Sequence, residues 1–257
     1  MGVQPRWSPG LPPELVVYDS PHPCPYLEGR DARLPMRMPS RALRPEELDG
    51  RLAAGDRRHG AFLYRPSCPT CAACEAIRIP VQRFTFSKNH RRVVNKARRR
   101  LRVQIGPPVA DMRRLELYER HKRERSLLGA SSEPLDLKGY EGFLVERCAP
   151  SFEMRYFDGD ELVGVAITDR GHDALSAVYC FWDPSYASLS LGTWSILEQL
   201  RIAREWGYTY LYLGLYIAEN AHMSYKARFR PHERLIDGTW QAFERQPGSA
   251  QQRNPVE

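Results

Sequence analysis

The order of apolar patterns between Met112 and Leu213 constrains this chain more than any other feature. Helical spacing covers Met112 to Leu127 and again Leu137 to Arg147. Phe152 to Phe157, Leu162 to Thr168 and Ala174 to Phe181 then read as strands, with a turn at Asp158-Gly159-Asp160. A longer helix is expected over Leu191 to Trp206. Trp194, Ile196, Leu197, Leu200, Ile202 and Ala203 supply its apolar residues and Gly207 its stop. Thr209 to Leu213 closes the series as an apolar, aromatic strand.

Helix, helix, three antiparallel strands, helix, strand is the order of a GNAT-like acyltransferase fold, so the class is α/β (α+β). We assign that unit to a C-terminal domain at 109–245. A smaller N-terminal domain is expected at 18–108, open to reading as a degenerate GNAT-like half. In it, Pro45-Glu46-Glu47-Leu48 starts a helix that Gly55 ends. Ala61 to Tyr64 is a short strand, and Ala76 to Val81 alternates as a second, with Pro80 favouring an edge. Ser87 can cap a helix through Arg100, and Leu101 to Ile105 is a strand broken by Gly106-Pro107-Pro108. The proline-rich residues 1–20 suggest an irregular arm, and Gln246 to Glu257 a frayed tail.

Composition works by exclusion. Of 257 residues, 42% are hydrophobic, enough for a packed core. No apolar run approaches the roughly 20 residues that span a bilayer. The first residues lack the apolar stretch of a secretory signal. A soluble cytoplasmic protein with no membrane partner is the expectation. Lys and Arg number 38 against 31 Asp and Glu, a net +7 that does not by itself identify nucleic acid as a partner.

The distribution of charge says more. No acidic residue lies between Glu75 and Asp111, a stretch that holds ten Lys and Arg. On a helix from Ser87, the side chains of Lys88, Arg91, Arg92 and Lys96 share one face. Like charges so spaced repel, and a polyanion would relieve them through salt-dependent phosphate contacts. A solvated surface helix is the plain alternative. A second basic segment, Met223 to Pro231, places Lys226, Arg228 and Arg230 among aromatic and small residues, a pattern that can hold a phosphate and stack a base.

Cys68-Pro69-Thr70-Cys71-Ala72-Ala73-Cys74 has thiols at the spacing of a metal loop, and Cys24 is the natural fourth ligand. Zinc or an iron–sulfur cluster would suit these four. Buried thiols packing a loop are the alternative. Cys148 and Cys180 read as core residues. No nucleophile elbow and no phosphate-binding G-x-x-x-x-G-K-[ST] loop is present.

Several short motifs in order resemble the bacterial leucyl-tRNA–protein transferase family, the counterpart of arginyl-tRNA–protein transferase. They are Cys24-Pro25-Tyr26-Leu27-Glu28-Gly29-Arg30, Tyr64-Arg65-Pro66 with the cysteine loop, and Arg78-Ile79-Pro80-Val81. Further on come Phe181-Trp182-Asp183-Pro184, Ser190-Leu191-Gly192-Thr193, Tyr212-Leu213-Gly214 and Tyr225-Lys226-Ala227-Arg228-Phe229-Arg230-Pro231. The chain departs from the family pattern at Met36 to Arg44, Arg58-His59-Gly60, Asn95 to Arg98 and Leu215.

The resemblance implies an enzyme that moves leucine from leucyl-tRNA to acceptor proteins with an N-terminal Asp or Glu, which creates a degradation signal. The partners are then aminoacyl-tRNA and protein, not DNA, and transfer requires no cofactor because the ester is already activated. Lys88, Arg91, Arg92, Lys96, Lys226 and Arg230 are the expected tRNA contacts. An acidic acceptor calls for an arginine clamp, for which Arg78 and Arg228 are the candidates. No residue is identifiable as the general base. The alternatives are an arginyl transferase, a related transferase of cell-wall branching, and a non-enzymatic tRNA-binding zinc protein. A pocket for arginine should hold a carboxylate, and one for leucine should be apolar.

Overall fold

Among the described residues the alternating patterns fold into a five-stranded sheet, an eight-stranded sheet and a two-stranded hairpin. The computed structural model describes residues 5–125 and 133–245. The chain begins with strands β1 (Arg6–Ser8) and β2 (Glu14–Tyr18), then a small hairpin, β3 (Pro21–Pro23) and β4 (Asp31–Arg33). It continues through β5 (Met36–Pro39), helix α1 (Pro45–Ala53), β6 (Arg57–His59) and β7 (Phe62–Tyr64). Strands β1, β2, β5, β7 and β6 form, in that order, an antiparallel sheet. Residues 1–20 were expected to be irregular. Instead β1 pairs with β2 and β2 with β5, because Leu15 and Val16 have a ladder to join. Helix α1 starts as its sequence requires: the Glu47 carboxylate returns to the Arg44 N–H at 2.8 Å, and Leu48 and Leu52 enter the core.

The larger sheet takes β8 (Glu75–Pro80), β9 (Leu101–Gly106), β10 (Ser151–Asp158), β11 (Glu161–Arg170), β12 (Ala174–Trp182), β13 (Tyr210–Tyr216), β14 (His232–Ile236) and β15 (Thr239–Phe243). Its order is β15-β14-β8-β13-β12-β11-β10-β9, with one parallel pair, β12 and β13. Helices α2 (Lys88–Arg98) and α5 (Leu191–Glu205) share one core with Ile77, Ile79, Tyr156, Leu175 and Leu211. Between them in sequence, α3 (Met112–Glu124) and α4 (Leu137–Tyr140), which continues as a π turn to Val145, belong to a second core with Val165, Ile167 and Phe181. Helices thus cover both faces of a mixed sheet, an α/β layout.

The sheet does not respect a boundary at 108. Strands β8 and β9 and helix α2 are integral to it, since β8 pairs with β13 and β9 with β10. Nor is β8 an edge strand. It lies between β13 and β14, and Pro80 is tolerated because it ends the strand. The β14–β15 hairpin went unrecognised in the sequence, although Asp237-Gly238, both at positive φ, is a strong hairpin signal. The expected end of α3 at Leu127 and the tail Gln246 to Glu257 lie outside the described residues. Among the described residues no helix is long and apolar enough to cross a membrane.

Candidate active site

Strands β12 and β13 are in register only over Ala174–Ser176 and Tyr210–Tyr212. Beyond this, β12 stays with β11 and β13 with β8, so the two part and open a wedge in the middle of the sheet. Arg57, from β6, reaches the apex. Its guanidinium donates to the Ser176 hydroxyl at 3.4 Å and to the Ala177 carbonyl at 3.2 Å. It lies against Gly214, where a Cβ would come within 2.6 Å of Nη2. Only glycine admits the arginine there, and its φ of 86° is one that L side chains avoid.

Lys226 enters the same region from the 3₁₀ turn Tyr225–Arg228. Its Nζ donates to the Leu215 carbonyl at 2.6 Å and touches Met223 Sδ at 3.2 Å. Burial, and then the nearby Arg57 charge, lower its pKa to about 7. Arg57 and Lys226 are each 9% exposed. Their polar partners among the described residues are a hydroxyl, carbonyls and a thioether, with no carboxylate.

A pocket adjoins this pair. Arg57 is the cross-strand partner of Tyr64, Tyr64 of Met36, and Met36 of Tyr18. Directly opposed residues point to one face, so the four make a single row across β6, β7, β5 and β2. Tyr18, Met36 and Tyr64 line a cavity of about 560 Å³, together with Leu34, His59 and Tyr26. The Tyr26 and Tyr64 hydroxyls stand 3.4 Å apart, and Asn220 ties Tyr26 to the turn carrying Lys226 by donating to its carbonyl at 2.8 Å. Burial holds the Tyr26 hydroxyl far above its usual pKa, and burial with the Arg58 charge lowers that of His59. Among the described residues no acidic side chain lines the cavity.

The expected site residues are placed as follows. Lys88, Arg91, Arg92 and Lys96 are exposed on α2, where Ser87 caps the helix by accepting from the His90 N–H at 3.1 Å. None of the four makes an ion pair among the described residues; Arg91 donates to the Phe86 carbonyl at 2.7 Å and Arg92 to Asn89 at 3.1 Å. Lys96 donates to the Ser188 carbonyl at 2.8 Å, which sets this basic face beside the start of α5. Arg230 donates to the Glu244 carbonyl at 3.2 Å. Lys226 is buried beside Arg57 instead of lying on the basic surface, because the segment coils as a 3₁₀ turn instead of extending as a strand. Arg78 is already committed: it pairs with Glu233 at 2.7 Å, donates to the Tyr212 hydroxyl at 3.0 Å, and stacks on Tyr210 and Trp240. Arg228 is exposed.

The four cysteines gather behind Tyr26. Arg30 donates to Cys71 at 3.6 Å and the Arg33 N–H to Cys68 at 3.4 Å. Burial, and then the charges of Cys24, Cys68 and Cys71, push the Cys74 thiol up to about 12. Near as they are, no three His, Cys, Asp or Glu side chains among the described residues are arranged to hold a metal ion.

Two family models match the chain: arginine-tRNA-protein transferase, N terminus, at residues 22–92, and C terminus, at 113–236. An aspartate/glutamate leucyltransferase of Halorhodospira halophila is 42% identical over 226 residues, covering 87% of this chain and 94% of that protein. The chain belongs to the arginine-tRNA-protein transferase family. The aspartate/glutamate leucyltransferase of Aeromonas hydrophila is 38% identical to this transferase over 229 residues, covering 88% of it and 94% of its relative. Among solved structures, L-PGS from Bacillus licheniformis has 15% identity and a TM-score of 0.40, over 59% of this chain and 49% of that one.

Arg57 was not legible as a site residue. It stands in Asp56-Arg57-Arg58 with no spacing to mark it. Its neighbour Arg58 is structural, bonded to Asp169 at 2.8 Å with both side chains almost fully buried. Alternation puts the two on opposite faces of β6, which is the one clue that they differ in role.

Proposed function

We propose that this transferase moves the leucyl group of leucyl-tRNA onto the α-amine of proteins that begin with Asp or Glu. The observation that carries the reading is the pair of buried cations, Arg57 and Lys226, without a carboxylate among the described residues. Two desolvated like charges are costly, and an anionic ligand offsets that cost. The side-chain carboxylate of an acceptor Asp or Glu supplies the anion. The basic face of α2 meets the tRNA backbone, and Lys96 leads from it to the loop before α5.

The chemistry is acyl transfer. The neutral acceptor amine attacks the ester carbonyl carbon, and a tetrahedral intermediate forms. The C–O bond to the terminal ribose breaks as the amide forms. The amine proton is lost, and the ribose hydroxyl leaves protonated. The ester is activated beforehand, so the protein acts mainly by holding amine and ester together away from water. An arginyl donor fits less well, because no acidic side chain lines the adjoining cavity.

The test is transfer by purified protein from leucyl-tRNA or arginyl-tRNA to peptides beginning with Asp, Glu, Lys or Ala, read by mass. One leucine added to the Asp and Glu peptides alone is expected. Arginine added instead, or leucine added without regard to the first residue, overturns the proposal.

A further inference from the structure

The structure assigns the cavity under Tyr26 to the leucyl side chain of the donor, as the site that selects the transferred amino acid. The inference rests on the leucyl-transfer reading above and adds where the selection is made.

Position supports it. The row Tyr18, Met36, Tyr64, Arg57 runs from the cavity wall directly to the cation pair at the sheet opening. An acceptor carboxylate on Arg57 puts the acceptor amine a few ångströms away. A leucyl side chain in the cavity brings its own ester carbonyl to that same place. Tyr64 on the cavity wall and Arg57 at the cation pair are opposed residues of β7 and β6, so cavity and cations would hold the two halves of the new peptide bond side by side.

Chemistry supports it too. The lining is mostly aromatic and aliphatic, with Pro25, Leu34 and Met36 among three tyrosines and the imidazoles of His22 and His59, and among the described residues no carboxylate belongs to it. A leucine side chain gains from leaving water there. An arginine side chain would bury its guanidinium without a carboxylate, next to Arg57. Burial raises the pKa of Tyr26 and lowers that of His59, the directions expected where a charged group is penalised. The volume of about 560 Å³ is more than enough to take one leucine side chain.

The experiment compares single-turnover transfer to an Asp-initiated peptide by the wild type, Met36→Trp and Leu34→Glu. The donors are leucyl-tRNA and alanyl-tRNA, and binding of uncharged tRNA is measured alongside. Filling the cavity with tryptophan is expected to lower leucyl transfer by about tenfold or more, the scale of a lost hydrophobic subsite. Alanyl transfer should fall less, and uncharged tRNA should bind as before. Leu34→Glu should likewise depress leucyl transfer, and it serves if Met36→Trp does not fold. Leucyl transfer unchanged in both folded variants, or leucyl and alanyl transfer falling equally, would overturn the assignment. If the wild type itself transfers no leucine, the failure lies with the proposed function and not with the placement of the pocket.

Discussion

Arg57→Met tests the site by setting activity against stability. The substitution removes two hydrogen bonds, to Ser176 and Ala177, both at the long end of the range at 3.4 and 3.2 Å. Together they are worth on the order of 1 kcal/mol. It also removes a buried guanidinium that has no carboxylate partner among the described residues and that repels Lys226. Relief of that charge offsets the lost bonds, since an uncompensated buried ion costs several kcal/mol. Stability should therefore be unchanged or higher. Binding of an acidic acceptor should suffer, because truncating one member of a buried charge pair typically costs about 2–5 kcal/mol. Lys226 remains to hold the carboxylate, so we expect the lower end, about 2–3 kcal/mol, or roughly 30- to 150-fold in kcat/KM. The assay measures transfer to Asp- and Ala-initiated peptides, with a urea melt in parallel. Loss confined to the Asp peptide, at wild-type stability, is the expected result. The reasoning is refuted if both peptides lose equally, or if stability falls by about 2 kcal/mol or more, the size of a lost structural strut.

Four further outcomes follow from the same geometry. Lys226 has its pKa lowered from 10.5 to about 7, so its charge is held below pH 7 and lost above it in the free enzyme. KM for an Asp peptide should rise as pH passes 7, and Lys226→Arg should flatten that rise. Between pH 7 and 10.5 the unfolded chain holds the extra proton, so stability should increase with pH across that window, as read by denaturant melts at several pH values. Arg91→Glu with Arg92→Glu should weaken tRNA binding and make its log–log salt slope shallower by about 1.5–2, with folding intact, because neither residue is ion-paired among the described residues. Asp169→Ala leaves Arg58 buried without its partner and should cost about 3–5 kcal/mol, measured by urea unfolding.

Much of this protein was legible from its residues alone, and the reason is locality. Helix starts at Pro45 and Ser87, the stop at Gly207, and the strands from Phe152 to Phe181 depend on capping, backbone freedom and alternation, which act over a few residues. The shared face of Lys88, Arg91, Arg92 and Lys96 follows in the same way from the helical repeat. The motifs from Cys24 to Pro231 were also enough to place the chain in its family.

What the tertiary structure decided is everything that depends on contact between distant segments. Only the sheet order carries β8 and β9 into the C-terminal unit and turns the first strands from an arm into a ladder. Sequence alone cannot separate Arg57 from Arg58, or predict that Lys226 turns inward while Arg78 is consumed by Glu233. Whether an arginine is a strut or a free cation depends on which carboxylates lie within a few ångströms, and those come from residues far along the chain. The pocket has the same origin. Tyr18, Met36 and Tyr64 meet through the register of four strands, a property that no one of those strands contains.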